Sequence, residues 1–220
     1  MLVGGAVADK PARLVAAGDP IEIDRPPPRF VSRGGEKLDA ALDAFGIDVG
    51  GRRLLDAGAS TGGFTDCLLQ RGASHVVALD VGHGQLHPRV RDDQRVTVLE
   101  RVNVRSATTT TIGDAVDGVV ADLSFISLRL VIPALTALCH PGGPMVLLVK
   151  PQFEAGRAEA GRGRGVISDP AIHDRVRDEI DGALRDAGCV VVGWVTSALR
   201  GASGNVELFV HATAGGDRSQ

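Results

Sequence analysis

Only three of the 24 basic residues are lysines: Lys10, Lys37 and Lys150. Lys150 ends the run LLVK and is followed by Pro151, which stiffens the exit. An ammonium partly desolvated by apolar neighbours can serve as a base or as a charge that steers a reacting group. Asp122 closes a second apolar run, VDGVVAD, and is the first candidate for a catalytic carboxylate. Some enzymes that methylate amino groups of bases carry Asp/Asn-Pro-Pro-Tyr/Phe at such a strand end. Here Leu123 and Ser124 stand in place of both prolines, which weakens a base-N-methylation reading. The third chemical feature is the loop DAGASTGGFT, which runs from Asp56 through Gly58, Ala59, Ser60, Thr61, Gly62 and Gly63. It lacks the Lys-Ser/Thr end of an ATP phosphate loop, and Ser60 interrupts the dinucleotide pattern Gly-x-Gly-x-x-Gly. Small residues there let the backbone approach a ligand, and free N–H groups of a following helix suit a carboxylate as well as a phosphate. Asp80 ends HVVALD and precedes Val81. It can accept both hydroxyls of a ribose, so loop and acid together indicate an adenosine ligand without choosing which.

Other residue types narrow the chemistry. Cys67, Cys139 and Cys189 are odd in number and far apart, which speaks against a disulfide framework or a zinc site. His83 and His87 are spaced to share a helix face, but no acidic neighbour completes a metalloprotease motif. No metal is expected. The net charge of −3 gives no global basic field. Arginines concentrate locally, at Arg25, Arg29 and Arg33 beside RPPPRF and at Arg157, Arg162 and Arg164 in GRAEAGRGRG. At that density they can clamp backbone phosphates of a nucleic acid.

The elements that must position these groups follow from periodicity. A chain of 220 residues can bury one sizeable core, and 44% apolar with 23% charged residues is ordinary for a soluble protein. No apolar run reaches the roughly 18 residues of a membrane span, and the first residues lack a signal-peptide layout, so the cytoplasm is expected. Residues 1–24 read as short β-like pieces around a turn, and RPPPRF as a proline-stiffened linker. GEKLDAALDAFG (35–46) spaces Leu38, Ala41, Leu42 and Phe45 as an amphipathic helix stopped by Gly46. Strands are expected at 52–58, 75–80, 96–100, 116–122 and 145–150, with helices at 64–72, 128–139 and 168–188 between or after them. Strand–helix alternation with nearly continuous apolar strands indicates a parallel sheet covered on both faces. The last two strands, 189–197 and 206–212, are joined by too few residues for a parallel crossover, so they pair antiparallel. The layout is α/β and Rossmann-like: a mostly parallel seven-stranded sheet with an antiparallel last strand. An all-parallel dinucleotide sheet does not end that way, whereas S-adenosyl-L-methionine (SAM) methyltransferases do. An NAD-linked oxidoreductase survives only on the loop and Asp80.

VSRGGEKL, LDAGASTGGFT, ALDVGHGQL, ADLSFISL, LVKPQFE and SGNVELF, in that order across residues 31–213, resemble the TlyA/haemolysin A-type ribosomal RNA methyltransferases, relatives of FtsJ-type 2′-O-methyltransferases. The resemblance implies methyl transfer from SAM to a cytidine ribose 2′-hydroxyl of 16S and/or 23S rRNA. It places a Lys-Asp-Lys-Glu tetrad on Lys37, Asp122, Lys150 and Glu207, with the loop 56–63, Asp80, Val81, Asp122 and Leu123 about the cofactor. Asp122 and Glu207 are expected to hold the Lys150 amine, with Lys37 completing the network. The family carries an S4 RNA-binding domain, of which residues 1–24 resemble only the closing segment. The expected organisation is an S4 remnant at 1–24, a linker at 25–32, the methyltransferase domain at 33–213 and a tail at 214–220. The alternative of a different class is a SAM-binding, ribosome-associated protein with little turnover. The haemolysin name suggests a pore former, but no membrane-active segment is visible.

Overall fold

The structure, a computed structural model, describes residues 2–8, 10, 12–22, 28–156, 159 and 165–215. Near the N-terminus three two-residue strands, β1 (Leu2–Val3), β2 (Ala6–Val7) and β3 (Ile21–Glu22), pair antiparallel in the order β2-β1-β3. The helix α1 (Arg33–Phe45) follows. It presents Leu38, Ala41 and Leu42 to the core, and Gly46 ends it in the left-handed conformation that terminates helices at low cost.

Seven strands form the main sheet among the described residues: β4 (Arg53–Ala57), β5 (His75–Asp80), β6 (Val96–Glu100), β7 (Gly118–Ala121), β8 (Pro144–Val149), β9 (Val190–Thr196) and β10 (Leu208–Thr213). Their order is β6-β5-β4-β7-β8-β10-β9. β10 runs antiparallel to both of its neighbours, and β4 through β8 are mutually parallel, as the connection lengths require. The helices are α2 (Gly63–Gln70), α3 (Pro88–Arg91), α4 (Thr109–Ile112), α5 (Ile132–Leu138), α6 (Pro151–Glu154) and α7 (Pro170–Asp186). Leu38, Leu42, Leu68, Val146 and Phe209 build one apolar layer; Leu135, Ile180, Leu184, Leu147 and Val210 build the layer on the other face. Burying each such side chain stabilises the fold by about 2 kcal/mol.

Two expectations need correction here. The helix read over 128–139 is divided into a 3-10 turn at Leu128–Leu130 and α5, because Pro133 lacks an N–H and is accommodated only in a first turn. His83 and His87 share no helix face. His83 lies in a turn 2.5 Å from Glu100, and His87 caps α3 by accepting the Arg89 N–H. The four-residue helices α3, α4 and α6 are too short to show a period and went unread. The three cysteines are buried and unpaired. Among the described residues no helix is long and apolar enough to cross a membrane.

Candidate active site

The chain steps outward from β4 to β5 and β6, then returns to β7 on the other side of β4. Strand order reverses there, and ligands of open α/β sheets bind at the carboxyl ends flanking such a point. Gly58 leaves β4 at φ +87, with its N–H donated to Leu79 O at 2.8 Å. A Cβ at this position would stand 2.7 Å from Asp122 O and 3.0 Å from Leu123 Cδ2, so only glycine lets the loop pass the end of β7. Asp80 organises the loop: Oδ2 accepts the Ser60 N–H at 2.8 Å and Oδ1 the Gly82 N–H at 2.6 Å. Each carboxylate oxygen keeps a second lone pair for a ligand hydroxyl. The cavity beside it measures about 380 Å³ and is lined by Gly58, Ser60, Asp80, Val81, Asp122 and Leu123. Leu79, Gly82, Gln85, Val102, Val104, Ser124 and Phe125 complete it. A smaller cavity of about 110 Å³ shares Gly58, Ser60 and Asp122 and adds Lys37, Ala59, Thr61, Gly63 and Phe64 at the starts of α1 and α2.

Two residues of the loop act from behind it. Gly62 lines neither cavity and packs against Leu86 and Val90. Asp56 is fully buried: Oδ2 accepts the Thr65 hydroxyl at 2.6 Å, and Oδ1 has no hydrogen-bond partner among the described residues. Burial, reinforced by the nearby charges of Asp122 and Asp80, pushes its carboxyl up to about 7 against the opposing Thr65 hydrogen bonds. The native state therefore holds a proton there that the unfolded chain releases near pH 4, so the contribution of Asp56 to stability falls as pH rises from about 4 to 7 and is flat above. Asp56→Asn should gain on the wild-type protein over that interval, by up to about 4 kcal/mol. Denaturant unfolding at pH 5 and 7.5 measures it; a difference independent of pH would exclude the buried proton.

The four charged candidates form two ion pairs. Lys150 Nζ, at the end of β8, stands 2.5 Å from Asp122 Oδ1 and donates to Ser124 Oγ at 2.9 Å. Lys37 Nζ donates to Glu207 Oε2 at 2.6 Å, with the two side chains 11% and 3% exposed. Glu207 thus holds Lys37, not Lys150 as the sequence led us to expect. It lies just before β10, which the sheet inserts beside β8, and α1 crosses above it. A Cβ at Gly201 would fall 2.5 Å from Glu207 Oε1, so the 201–205 turn leaves no room for that carboxylate to swing away.

Arg29 ion-pairs with Asp39, and its guanidinium lies 4.5 Å over the Phe30 ring. Arg33 donates to Arg200 O at 2.7 Å. Arg25, Arg157, Arg162 and Arg164 lie outside the described residues. Sequence reasoning missed Ser124, Gln85 and Phe125, of which only Ser124 carried a signal, as a departure from the proline-rich motif. Val102 and Val104 carried none.

Among the described residues, the larger cavity is lined by the carboxylates of Asp80 and Asp122 and by no cationic side chain. That lining opposes a pyrophosphate and favours a cationic ligand bearing ribose hydroxyls. A family model described as FtsJ-like methyltransferase matches residues 30–214. The Mycobacterium tuberculosis protein named 16S/23S rRNA (cytidine-2′-O)-methyltransferase TlyA is 49% identical over 218 residues, covering 99% of this chain and 81% of that protein. A Streptococcus thermophilus protein provisionally called a hemolysin has a solved structure with 40% identity and a TM-score of 0.85, over 96% of this chain and 76% of its own. A Lactococcus lactis protein, also provisionally called a hemolysin, gives 42% and 0.82 over 84% and 89%.

Proposed function

This chain belongs to the FtsJ-like methyltransferase family, and from that premise we propose that it transfers a methyl group from SAM to a cytidine ribose 2′-hydroxyl of 16S and/or 23S rRNA. The observation that carries the cofactor is the anionic cavity. SAM brings a net positive charge, which the carboxylate of Asp80 attracts, and ribose hydroxyls, which Asp80 can accept, while Asp122 is already paired with Lys150. The glycine cradle at Gly58 fits a ligand that must approach the backbone closely. When bound, SAM supplies an already activated methyl group, so the protein's task is alignment of a weakly acidic hydroxyl and management of its proton.

Lys150 suits that task. Its Nζ is fixed by Asp122 and Ser124, and a hydrogen bond donated to the ribose oxygen would hold it in line and temper the charge that develops there. The Lys37–Glu207 pair holds a second cation beside Asp122 in the smaller cavity. Phe125 is 92% exposed at the cavity mouth, 5.2 Å from the Phe153 ring, and offers a face on which a base can stack. Residues 33–213 are assigned to the methyltransferase unit and 25–32 to a linker. The small sheet before them is assigned as the S4-like remnant. Arg29 and Arg33, together with Arg25, Arg157, Arg162 and Arg164, would add phosphate contacts, and the cytoplasm follows from a ribosomal substrate.

The reading is tested by incubating the protein with methyl-labelled SAM and unmethylated ribosomal subunits, then digesting the RNA to nucleosides. Label in 2′-O-methylcytidine is the expected result. Label confined to a base-methylated nucleoside would refute it.

A further inference from the structure

A second tie, which the proposed chemistry does not use, lies behind the Lys150–Asp122 pair. Glu154 closes α6, four residues after Lys150, and its side chain is 2% exposed. Its Oε1 accepts the Leu128 N–H at 2.7 Å, and its Oε2 accepts the Ser127 hydroxyl at 2.5 Å. Ser127 and Leu128 end the segment that begins at Asp122 and carries Ser124 and Phe125. Arg129 braces the junction: Nε donates to Ser127 Oγ at 3.2 Å, and the guanidinium stands 3.6 Å from Glu154 and 2.7 Å from Glu179 of α7. Residues 122–128 and 150–154 are therefore joined twice, by Lys150 at the rim and by Glu154 beneath it.

A carboxylate is a costly choice for this position. Burial pushes the Glu154 carboxyl above its usual range, and the bonds from Ser127 and Leu128 and the charge of Arg129 only oppose that. Once buried it is held by its partners, because removing it alone would leave the Ser127 hydroxyl and the Leu128 N–H without an acceptor. What a carboxylate adds is direction: two acceptors, aimed at one hydroxyl and one backbone N–H, fix where the 122–128 segment runs. That segment also holds Phe125 at φ +63, a conformation that bulky residues avoid unless both flanks are fixed.

We propose that Glu154 is a positioning residue for methyl transfer. Through Ser127 and Leu128 it sets the register of Asp122 and Ser124 against Lys150. The inference rests on the reading of Lys150 and Asp122 as the reacting rim.

Steady-state methylation of ribosomal RNA by the full chain tests it, with SAM affinity from calorimetry and folding followed by fluorescence of Trp194, which lies on β9. Glu154→Gln keeps the volume but turns an N–H toward one of the two donors. It should lower kcat on the order of 10²-fold, the scale of a small misplacement, while KM for RNA and the SAM Kd stay within about threefold. Ser127→Ala removes one bond and should lower kcat less, and the double variant should be no slower than Glu154→Gln alone. If Glu154→Gln does not fold, Ser127→Ala carries the same split between kcat and KM. Wild-type kcat in the folded variants, or a loss matched by weaker binding, would overturn the proposal. A wild-type protein that methylates no ribosomal RNA would overturn the assigned reaction as well. Active wild-type protein with unaffected variants would overturn this inference alone.

Discussion

Lys150→Ala should lower the methylation rate by about 10²–10⁴-fold, the range associated with loss of a positioned proton-handling or charge-steering group. SAM affinity should change by less than about twofold, because Lys150 lines neither cavity about the glycine loop. The separation matters because Asp122, released from its cation, remains at the junction of both cavities. If the loss came from a collapsed cofactor site, affinity would fall with rate. The variant should be measured by single-turnover transfer at saturating SAM. Near wild-type turnover would remove Lys150 from the chemistry. Its role can be refined by the pH dependence of that step. Asp122 at 2.5 Å and Ser124 at 2.9 Å hold the Lys150 amine in place, so a rate loss with SAM affinity intact would point to positioning or charge steering by that amine.

The Lys37–Glu207 pair should separate stability from activity. Glu207→Ala leaves a buried ammonium without its counter-charge and should cost about 3–5 kcal/mol of folding stability. Replacing both partners by apolar residues of similar size, Lys37→Met with Glu207→Leu, removes the unpaired charge and should restore most of that stability. Methyl transfer should stay lost in the double variant, because the cation in the smaller cavity is gone. Urea unfolding and the transfer assay on the same samples measure both quantities. A double variant that is stable and fully active would show that the pair serves packing alone.

What the sequence made legible were features with a period or a local composition. α1 and α7 showed apolar stripes, the parallel strands were short apolar runs, and the brevity of the link before β10 required antiparallel pairing. The glycine loop and Asp80 could be placed at neighbouring strand ends because loop and strand order are local facts. The partner of Glu207 could not. Lys37 is 170 residues away, and which of two lysines it meets depends on β10 being inserted between β8 and β9. Asp56 could be seen as an acid at the loop but not as a fully buried one beneath it, since a period-two strand pattern does not tell how deep a turn folds over its own last residues. Glu154 reads as an ordinary charge in PQFE until the 3-10 turn at Leu128–Leu130 supplies the donors it accepts from. That turn exists because Pro133 displaced the helix start, and such effects are settled by packing.

The most direct test of the central claim is ribose-methylation mapping of 16S and 23S rRNA from cells lacking the gene, complemented with the wild-type protein or with Lys150→Ala. Loss of a 2′-O-methyl group at one or more cytidines, restored by the wild-type protein and not by Lys150→Ala, is the result this account predicts. An unchanged ribose-methylation map in the deletion strain, or full restoration by Lys150→Ala, would contradict it.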